Sequence, residues 1–438
     1  MEWKHRFTNR LSTPSEAVEY IKSGFRIFLT GNCSVPQSLL TALVKKAPAL
    51  QNVEICQALT VCGSDYVAPE LEGHLRVNSF FSGANVRRAI NEGRADYTPI
   101  LLSEFPLVFS RGIVPLDAAL VHLSPPDENG YCTYGIEAGL TRTAAESAKI
   151  IIAEVNEQMP AIYGDTKIHI DDVDVVVPVD YPLGSLNMAE DKKNNGQIID
   201  KIGQIIAERI PDEATLQTGI GILPDSVLKH LMGKKNLGIH TELFSDGIID
   251  LVEAGVINGA CKSIHPHKIT AGFLLGTKRL FDWANKNPMI ELQRTEYINN
   301  PFTIAKNHRM VALNSAIEVD LTGQVCSDSI GHQFYSGAGG QLDFIFGSSM
   351  SEGGLPIIAL PSSTTNRNGE CFSRIVSSLK PGAGVITTRN HVHYICTEYG
   401  MVDLYGKTVR ERAKLLISIA HPDFRDKLMF EAQQLKYI

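Results

Sequence analysis

A lone glutamate set between glycine-rich turns is the part of this chain best suited to chemistry. Thr218-Gly219-Ile220-Gly221 offers a turn with free amides, and the next apolar run ends in Thr241-Glu242. A carboxylate can attack an activated acyl carbon to form a mixed anhydride. Amides aimed at the oxygen that gains charge would stabilise that addition. Ser336-Gly337-Ala338-Gly339-Gly340 is a second glycine cluster, in which backbone can pack close to a ligand with its amides exposed. Pro361-Ser362-Ser363-Thr364-Thr365-Asn366-Arg367-Asn368-Gly369 is a polar loop offering hydroxyls, an amide and one arginine to an anion.

Each feature also has a plainer reading. A strand–turn–helix unit with a glycine turn is common scaffolding, a lone G-x-G is a weak signal, and a glutamate at a strand end is ordinarily a solvated turn residue. Taken alone, the first stretch fits scaffold better than site. The second glycine cluster fits a tight turn as well as it fits a ligand cradle, and the polar loop fits plain solvation. Other chemistries are excluded more firmly. Glycoside hydrolysis needs two carboxylates. There is no G-x-S-x-G elbow and no G-x-x-x-x-G-K-[ST] phosphate loop. Pro224 stands where the dinucleotide fingerprint needs its third glycine.

The surrounding pattern says what positions these residues. Ala214 to Gln217 reads as a strand, and Pro224 sits in the first turn of a helix, where its missing N–H costs nothing. Val227, Leu228 and Leu231 recur at helical spacing, and the helix is expected to end at Gly233. Leu237-Gly238-Ile239-His240 reads as a buried parallel strand. In open α/β sheets ligands gather at the carboxyl ends of strands, so the turn and Glu242 leave the sheet on the same edge.

The same pattern occurs earlier. With Gly31 on Gly219, Thr30 falls on Thr218, Pro36 on Pro224, Ser38 on Ser226, Leu40 on Leu228 and Leu43 on Leu231. The following strands align as Asn52–Leu59 against Asn236–Leu243. Ala118–Gly135 against Ala316–Gly331, and Ala148–Val155 against Leu355–Ser362, continue in the same order. This predicts a whole-domain duplication: two tandem, similar open α/β domains with mainly parallel sheets, 1–185 and 186–438. Glu242 falls opposite Ala58, and Gly221 opposite Cys33. A residue needed only for the fold should recur in both copies, so the asymmetry favours chemistry for Glu242. Between the copies, the middle of Val173–Lys201 reads as a linker, and Gln197–Ile210 as the first helix of the second copy.

The 438 residues, 44% hydrophobic and 20% charged, are globular values with room for a large core. A net charge of −7 without a dense basic run argues against a nucleic-acid or anionic-membrane binder. No apolar stretch reaches membrane-spanning length, and the amino terminus lacks the apolar segment of a signal peptide. Cys33, Cys56, Cys62, Cys132, Cys261, Cys326, Cys371 and Cys396 are scattered, which reads as reduced thiols in a cytoplasmic protein. His391 and His393 would share one face of a strand, but no third ligand lies near, so no metal is expected.

The set TGIGILPDSV (218–227), GIHTELFSDG (238–247), SGAGGQLDF (336–344), CTEYGMVDL (396–404) and ISIAHPDFR (417–425) resembles the acetyl-CoA hydrolase/transferase family, class I CoA-transferases with fused halves. Its 4-hydroxybutyrate and butyrate–acetate CoA-transferases are the members it resembles, over essentially the whole chain. The resemblance implies that Glu242 is the nucleophile, joined first to the acyl group as an anhydride and then to CoA as a glutamyl thioester, in ping-pong fashion. Gly219, Ile220, Gly221, Ile222 and Leu223 then form a CoA-binding loop, Gly340 and Ser362 add CoA contacts, and Gly339 and Gly340 lie where an oxyanion amide belongs. Asn314 matches an asparagine near the site. Coenzyme A enters as substrate, and no permanently bound cofactor is implied. Relatives have lysines after the Pro-Ser of the 360s loop; this chain has Thr364-Thr365-Asn366-Arg367, so those phosphate contacts do not carry over. The first half is expected to supply pocket residues around Gly31-Asn32 and Ser82-Gly83-Ala84-Asn85. A water-accepting hydrolase is the alternative activity, and a homodimer or higher homo-oligomer is expected, the dimer from the prevalence of two-fold assemblies.

Overall fold

The structure is a computed structural model that describes residues 3–4, 10–186, 196–366 and 368–438. The middle of the expected linker and Arg367 lie outside the described residues. Two compact units form. The first comprises Met1–Asn187, Thr270–Ile298 and Tyr335–Gly337, the second Met188–Ile269, Asn299–Phe334 and Ala338–Ile438. Two stretches of the second half thus group with the first unit.

In the first unit, Thr13 accepts from the Glu16 amide and Glu16 reaches back to the Thr13 amide, a reciprocal cap on a short opening helix. The strands are β1 (Arg26–Leu29), β2 (Val53–Gln57), β3 (Leu75–Ser79), β4 (Asp96–Tyr97), β5 (Leu116–Leu123), β6 (Ala148–Asn156) and β7 (Val175–Val179). They hydrogen-bond in the order β4-β3-β2-β1-β5-β6-β7, all parallel. Strands such as LDAALVHL in β5 are apolar and buried almost throughout, as a sheet covered on both faces requires. Helix α1 (Gln37–Lys46) buries Leu39, Leu40 and Leu43 against this sheet, and they join Ile27, Leu29, Ile55, Val77 and Leu120 in the core.

In the second unit, helix α2 (Gly196–Arg209) precedes β8 (Thr215–Gln217), helix α3 (Ile222–Lys229) and β9 (Gly238–Phe244). Then come β10 (Met310–Ser315), helix α4 (Gln341–Met350), β11 (Leu355–Ala359), β12 (Tyr394–Thr397) and β13 (Gly400–Asp403). These strands follow one another as β9-β8-β10-β11-β12-β13, parallel except for the last pair. The order β9-β8-β10-β11-β12 repeats β2-β1-β5-β6-β7, so the two sheets share one topology, as a duplicated α/β half should.

Three local expectations need correction. Helix α3 closes at Lys229 with His230 as its cap, not at Gly233; turns fill the interval. The strand equivalent to β5 is β10, which ends at Ser315, so the match of Ala118 onward with Ala316 onward is out of register. Residues 316–331 form short strands, Glu318–Asp320, Val325–Cys326 and Ser329–Ile330, in two small sheets outside the main one. His391 and His393 precede β12 in a turn, so they do not share a strand face. Among the described residues no helix is long and apolar enough to cross a membrane.

Candidate functional site

Strands β8, β9, β10, β11 and β12 run parallel, so their carboxyl ends share one edge of the second unit's sheet. That edge carries the turn 218–221 after β8, Glu242 two residues before the end of β9, Asn314 near the end of β10, Ser362 after β11 and Glu398 after β12.

Glu242 is built into the edge. It keeps part of its surface accessible while its carboxyl lies among packed atoms. The Asn299 amide donates to Glu242 Oε2 at 3.2 Å. The Gly340 N–H faces the same carboxyl, and a side chain at Gly340 would collide with both Glu242 Oε2 and Asn299 Nδ2. Burial pushes the Glu242 carboxyl up to about 7, and the Asn299 and Gly340 donors pull against it while the negative charge of Asp343 adds to it. A carboxylate with that value is part-ionised at neutral pH and poorly solvated, with two N–H donors already directed at it. This is the arrangement a nucleophilic carboxylate needs: ligand-accessible, and flanked by donors that can hold charge on its oxygen.

The glycine turn is coupled to this strand. Thr241 Oγ1 donates to the Thr218 carbonyl at 3.0 Å and accepts from the Thr218 amide at 3.3 Å. The turn therefore leaves β8 with its first residue anchored one position before Glu242. Gly221 has φ +119° and ψ 178°, a region open to glycine alone. Gly219 has ordinary φ, and a Cβ there would meet only Pro224, at 3.8 Å. Ile220 and Ile222 are half-buried; Leu223 is buried, so it has only backbone to offer a ligand.

Gly339 (φ +54°) and Gly340 lead directly into α4, with Gly340 as its cap residue. Gly337, from the same cluster, packs against Phe80 and Phe81 in the first unit.

Ser362 stands apart from the Glu242 group. Its amide and hydroxyl donate to the two oxygens of the buried Glu398 at 2.9 and 2.6 Å. Strands β9 and β11 are three positions apart, roughly 14 Å at ordinary spacing. Asn314 is likewise engaged elsewhere. Its Nδ2 donates to Gln217 Oε1 at 3.2 Å, tying β10 to β8, and the Leu313 amide meets the same oxygen at 3.0 Å. The asparagine on Glu242 is Asn299, which the sequence pattern did not single out. Ile298-Asn299-Asn300-Pro301 resembles a helix start, and Asn300 does cap one, so the pair carried no sign of a site. Asp343 and Glu398 lay inside quoted motifs, yet their types gave no hint of their partners.

In the first unit, the expected pocket residues are held by their own network. Asn32, at φ 52°, donates to the buried Glu137. Asn85 Nδ2 donates to Thr60 Oγ1 at 3.0 Å and to the Tyr66 hydroxyl at 3.2 Å, and the Ser82 hydroxyl is buried.

Comparison with known proteins agrees with this architecture. The N-terminal domain of the acetyl-CoA hydrolase/transferase family matches residues 1–182, and the C-terminal domain of that family matches residues 276–432. A 4-hydroxybutyrate coenzyme A transferase from Clostridium kluyveri is 46% identical over 98% of this chain and 99% of its own length. The crystal structure of a 4-hydroxybutyrate CoA-transferase from Porphyromonas gingivalis superposes with TM-score 0.84 at 37% identity, covering 99% of this chain and 100% of that one. An acetyl-CoA hydrolase from Yarrowia lipolytica is more distant, 26% identical over 81% of this chain and 74% of its own. With both halves of the family matched in order along the chain, this protein belongs to the acetyl-CoA hydrolase/transferase family.

Proposed function

We propose that this protein is a CoA-transferase that moves CoA between a short-chain acyl-CoA and a carboxylic acid of the 4-hydroxybutyrate, butyrate or acetate type. One observation carries the reading: a part-accessible glutamate, Glu242, receives the Asn299 amide at 3.2 Å and faces the Gly340 N–H inside a packed wall. The names of the relatives support the substrate class.

The ionised Glu242 attacks the acyl-CoA carbonyl carbon. An acyl-glutamyl anhydride forms, and the C–S bond breaks to release the CoA thiolate. The thiolate then adds to the glutamyl carbonyl carbon, whose oxygen takes the electron pair in reach of the Asn299 and Gly340 donors. Collapse expels the first carboxylate and leaves a glutamyl-CoA thioester. An incoming carboxylate reverses the two steps. In this reading Gly219, Ile220, Gly221, Ile222 and Leu223, together with Gly340 and Ser362, contact CoA. The protein works as a cytoplasmic homodimer on small molecules, with no bound cofactor, nucleic acid or membrane, and its halves descend from duplication of 1–185 and 186–438.

The test is direct. Glu242→Ala is expected to abolish acyl exchange between acetyl-CoA and butyrate while sparing CoA binding. Borohydride after incubation with acetyl-CoA should inactivate the wild type by reducing the glutamyl thioester. Exchange surviving in Glu242→Ala would overturn the mechanism. Acetyl-CoA consumption equally fast without added carboxylate would make the protein a hydrolase instead.

A further inference from the structure

Glu242 must change charge during the proposed cycle: an anion at the start, a neutral anhydride next, a neutral thioester after that. Its donor Asn299 therefore needs an anchor that does not change. Asn299 is fully buried, and besides Glu242 Oε2 at 3.2 Å its Nδ2 has a second carboxylate neighbour, Asp343 Oδ2 at 3.5 Å. Asp343 is itself 1% exposed and sits in the first turn of α4, three residues after the Gly340 cap.

Two carboxylates facing one amide nitrogen fix which way the asparagine points. The reversed orientation would set Oδ1, an acceptor, against both acceptors. Asn299 Oδ1 is accordingly turned away, buried and without a hydrogen-bond partner. The helix also ties the two donors together: Gly340 starts α4, Asp343 lies one turn in, and Asn299 spans from Asp343 to Glu242.

We propose that Asp343 is a positioning residue for the transfer reaction: its side chain holds the Asn299 amide on the Glu242 oxygen through the states in which Glu242 carries no charge. When the thiolate adds to the glutamyl carbonyl, forming C–S and moving the electron pair onto oxygen, the N–H is already in place. A donor held by Glu242 alone would be free to turn once the carboxyl was acylated. The charge of Asp343 has a second effect: it raises the Glu242 carboxyl, adding to burial. This inference rests on the reading of Glu242 as the nucleophile.

The experiment uses the full chain, acetyl-CoA and butyrate, with Asp343→Asn, Asp343→Glu, Glu242→Ala and the wild type. For Asp343→Asn, kcat should fall about 100-fold, the scale of a reacting group misplaced by about an ångström, while KM for acetyl-CoA stays near wild type. Its acid limb in kcat/KM should move to lower pH, because a negative charge near Glu242 is gone. A merely structural residue would not move that limb. Asp343→Glu keeps the charge, so its limb should stay in place, while kcat drops because the longer side chain displaces Asn299. If Asp343→Asn does not fold, the glutamate variant decides: wild-type kcat there overturns the positioning role. Asp343→Asn with wild-type kcat and an unmoved limb overturns it too. Such a result beside an inactive Glu242→Ala sinks only the role of Asp343. Activity surviving in Glu242→Ala sinks the nucleophile, and this inference with it.

Discussion

The Glu242 side chain is kept at some cost to the fold. Its carboxyl is raised from 4.5 to about 7, so the folded state holds this proton more tightly than the unfolded chain does. The associated stability is fully present below about 4.5 and is lost as pH rises through about 7. Above that, an ionised group sits in packed surroundings. Glu242→Gln should therefore stabilise the protein by about 1–3 kcal/mol at pH 8, less than the full shift because Glu242 keeps some solvent contact. At pH 5 the gain should shrink to about a quarter of that. Melting temperatures of variant and wild type at the two pH values check this; an equal difference at both would show that Glu242 is not desolvated. Glu242 stood out in the sequence because it interrupts a repeat: Ala58 stands where Glu242 does. Asn299 was not, since it reaches Glu242 from 57 residues away and its neighbours carry only capping chemistry. Asn314, taken from the resemblance, proved to brace Gln217, a contact no motif announces.

Among elements, the turn between β8 and α3 separates backbone need from ligand need. Gly221 occupies a conformation that other residues reach only at a cost of about 1–3 kcal/mol. Gly219 does not, and its neighbourhood has room for a methyl. Gly221→Ala should lower stability and raise KM for acyl-CoA together. Gly219→Ala should leave the melting temperature alone and raise only KM, if CoA backbone atoms approach that amide. Unchanged KM in Gly219→Ala would remove it from the proposed CoA loop. The strands and first helices were readable because parallel strands buried on both faces leave long apolar runs, and prolines mark helix starts. The end of α3 was not: Leu231 continues the helical spacing, yet it is fully buried in the turn beyond Lys229. Apolar periodicity reports which residues are buried, not which backbone bonds close. The same limit misplaced the third repeat match, where Ala316 follows β10 instead of opening it.

At the scale of the whole chain, the first unit does not end at the boundary expected near residue 185. Thr270–Ile298 belongs to it, and the contacts are substantial. Leu274 N donates to Ile136 O at 2.8 Å, Asp165 N to Leu292 O at 2.8 Å, and Leu292 N to Tyr163 O at 2.9 Å. Arg294 joins Asp165 and Glu146, each at 2.7 Å. Residues 1–186 expressed alone leave these backbone groups unpaired, so that fragment should lack a cooperative thermal transition. Fusing 270–298 to it should restore one, readable by circular dichroism. A sharp transition from 1–186 alone would show the later segment to be dispensable. Sequence comparison of the copies could not reveal this exchange: the strands Ile269–Leu274 and Ile290–Leu292 hold the places in the second sheet that β3 and β4 hold in the first, so the repeat alone assigns them to the second copy. The consequence reaches recombination between relatives. A crossover near residue 186 inherits Arg294 from one parent and its two acidic partners from the other, whereas a crossover scheme that carries 270–298 along with the amino-terminal half keeps Arg294, Asp165 and Glu146 with a single parent.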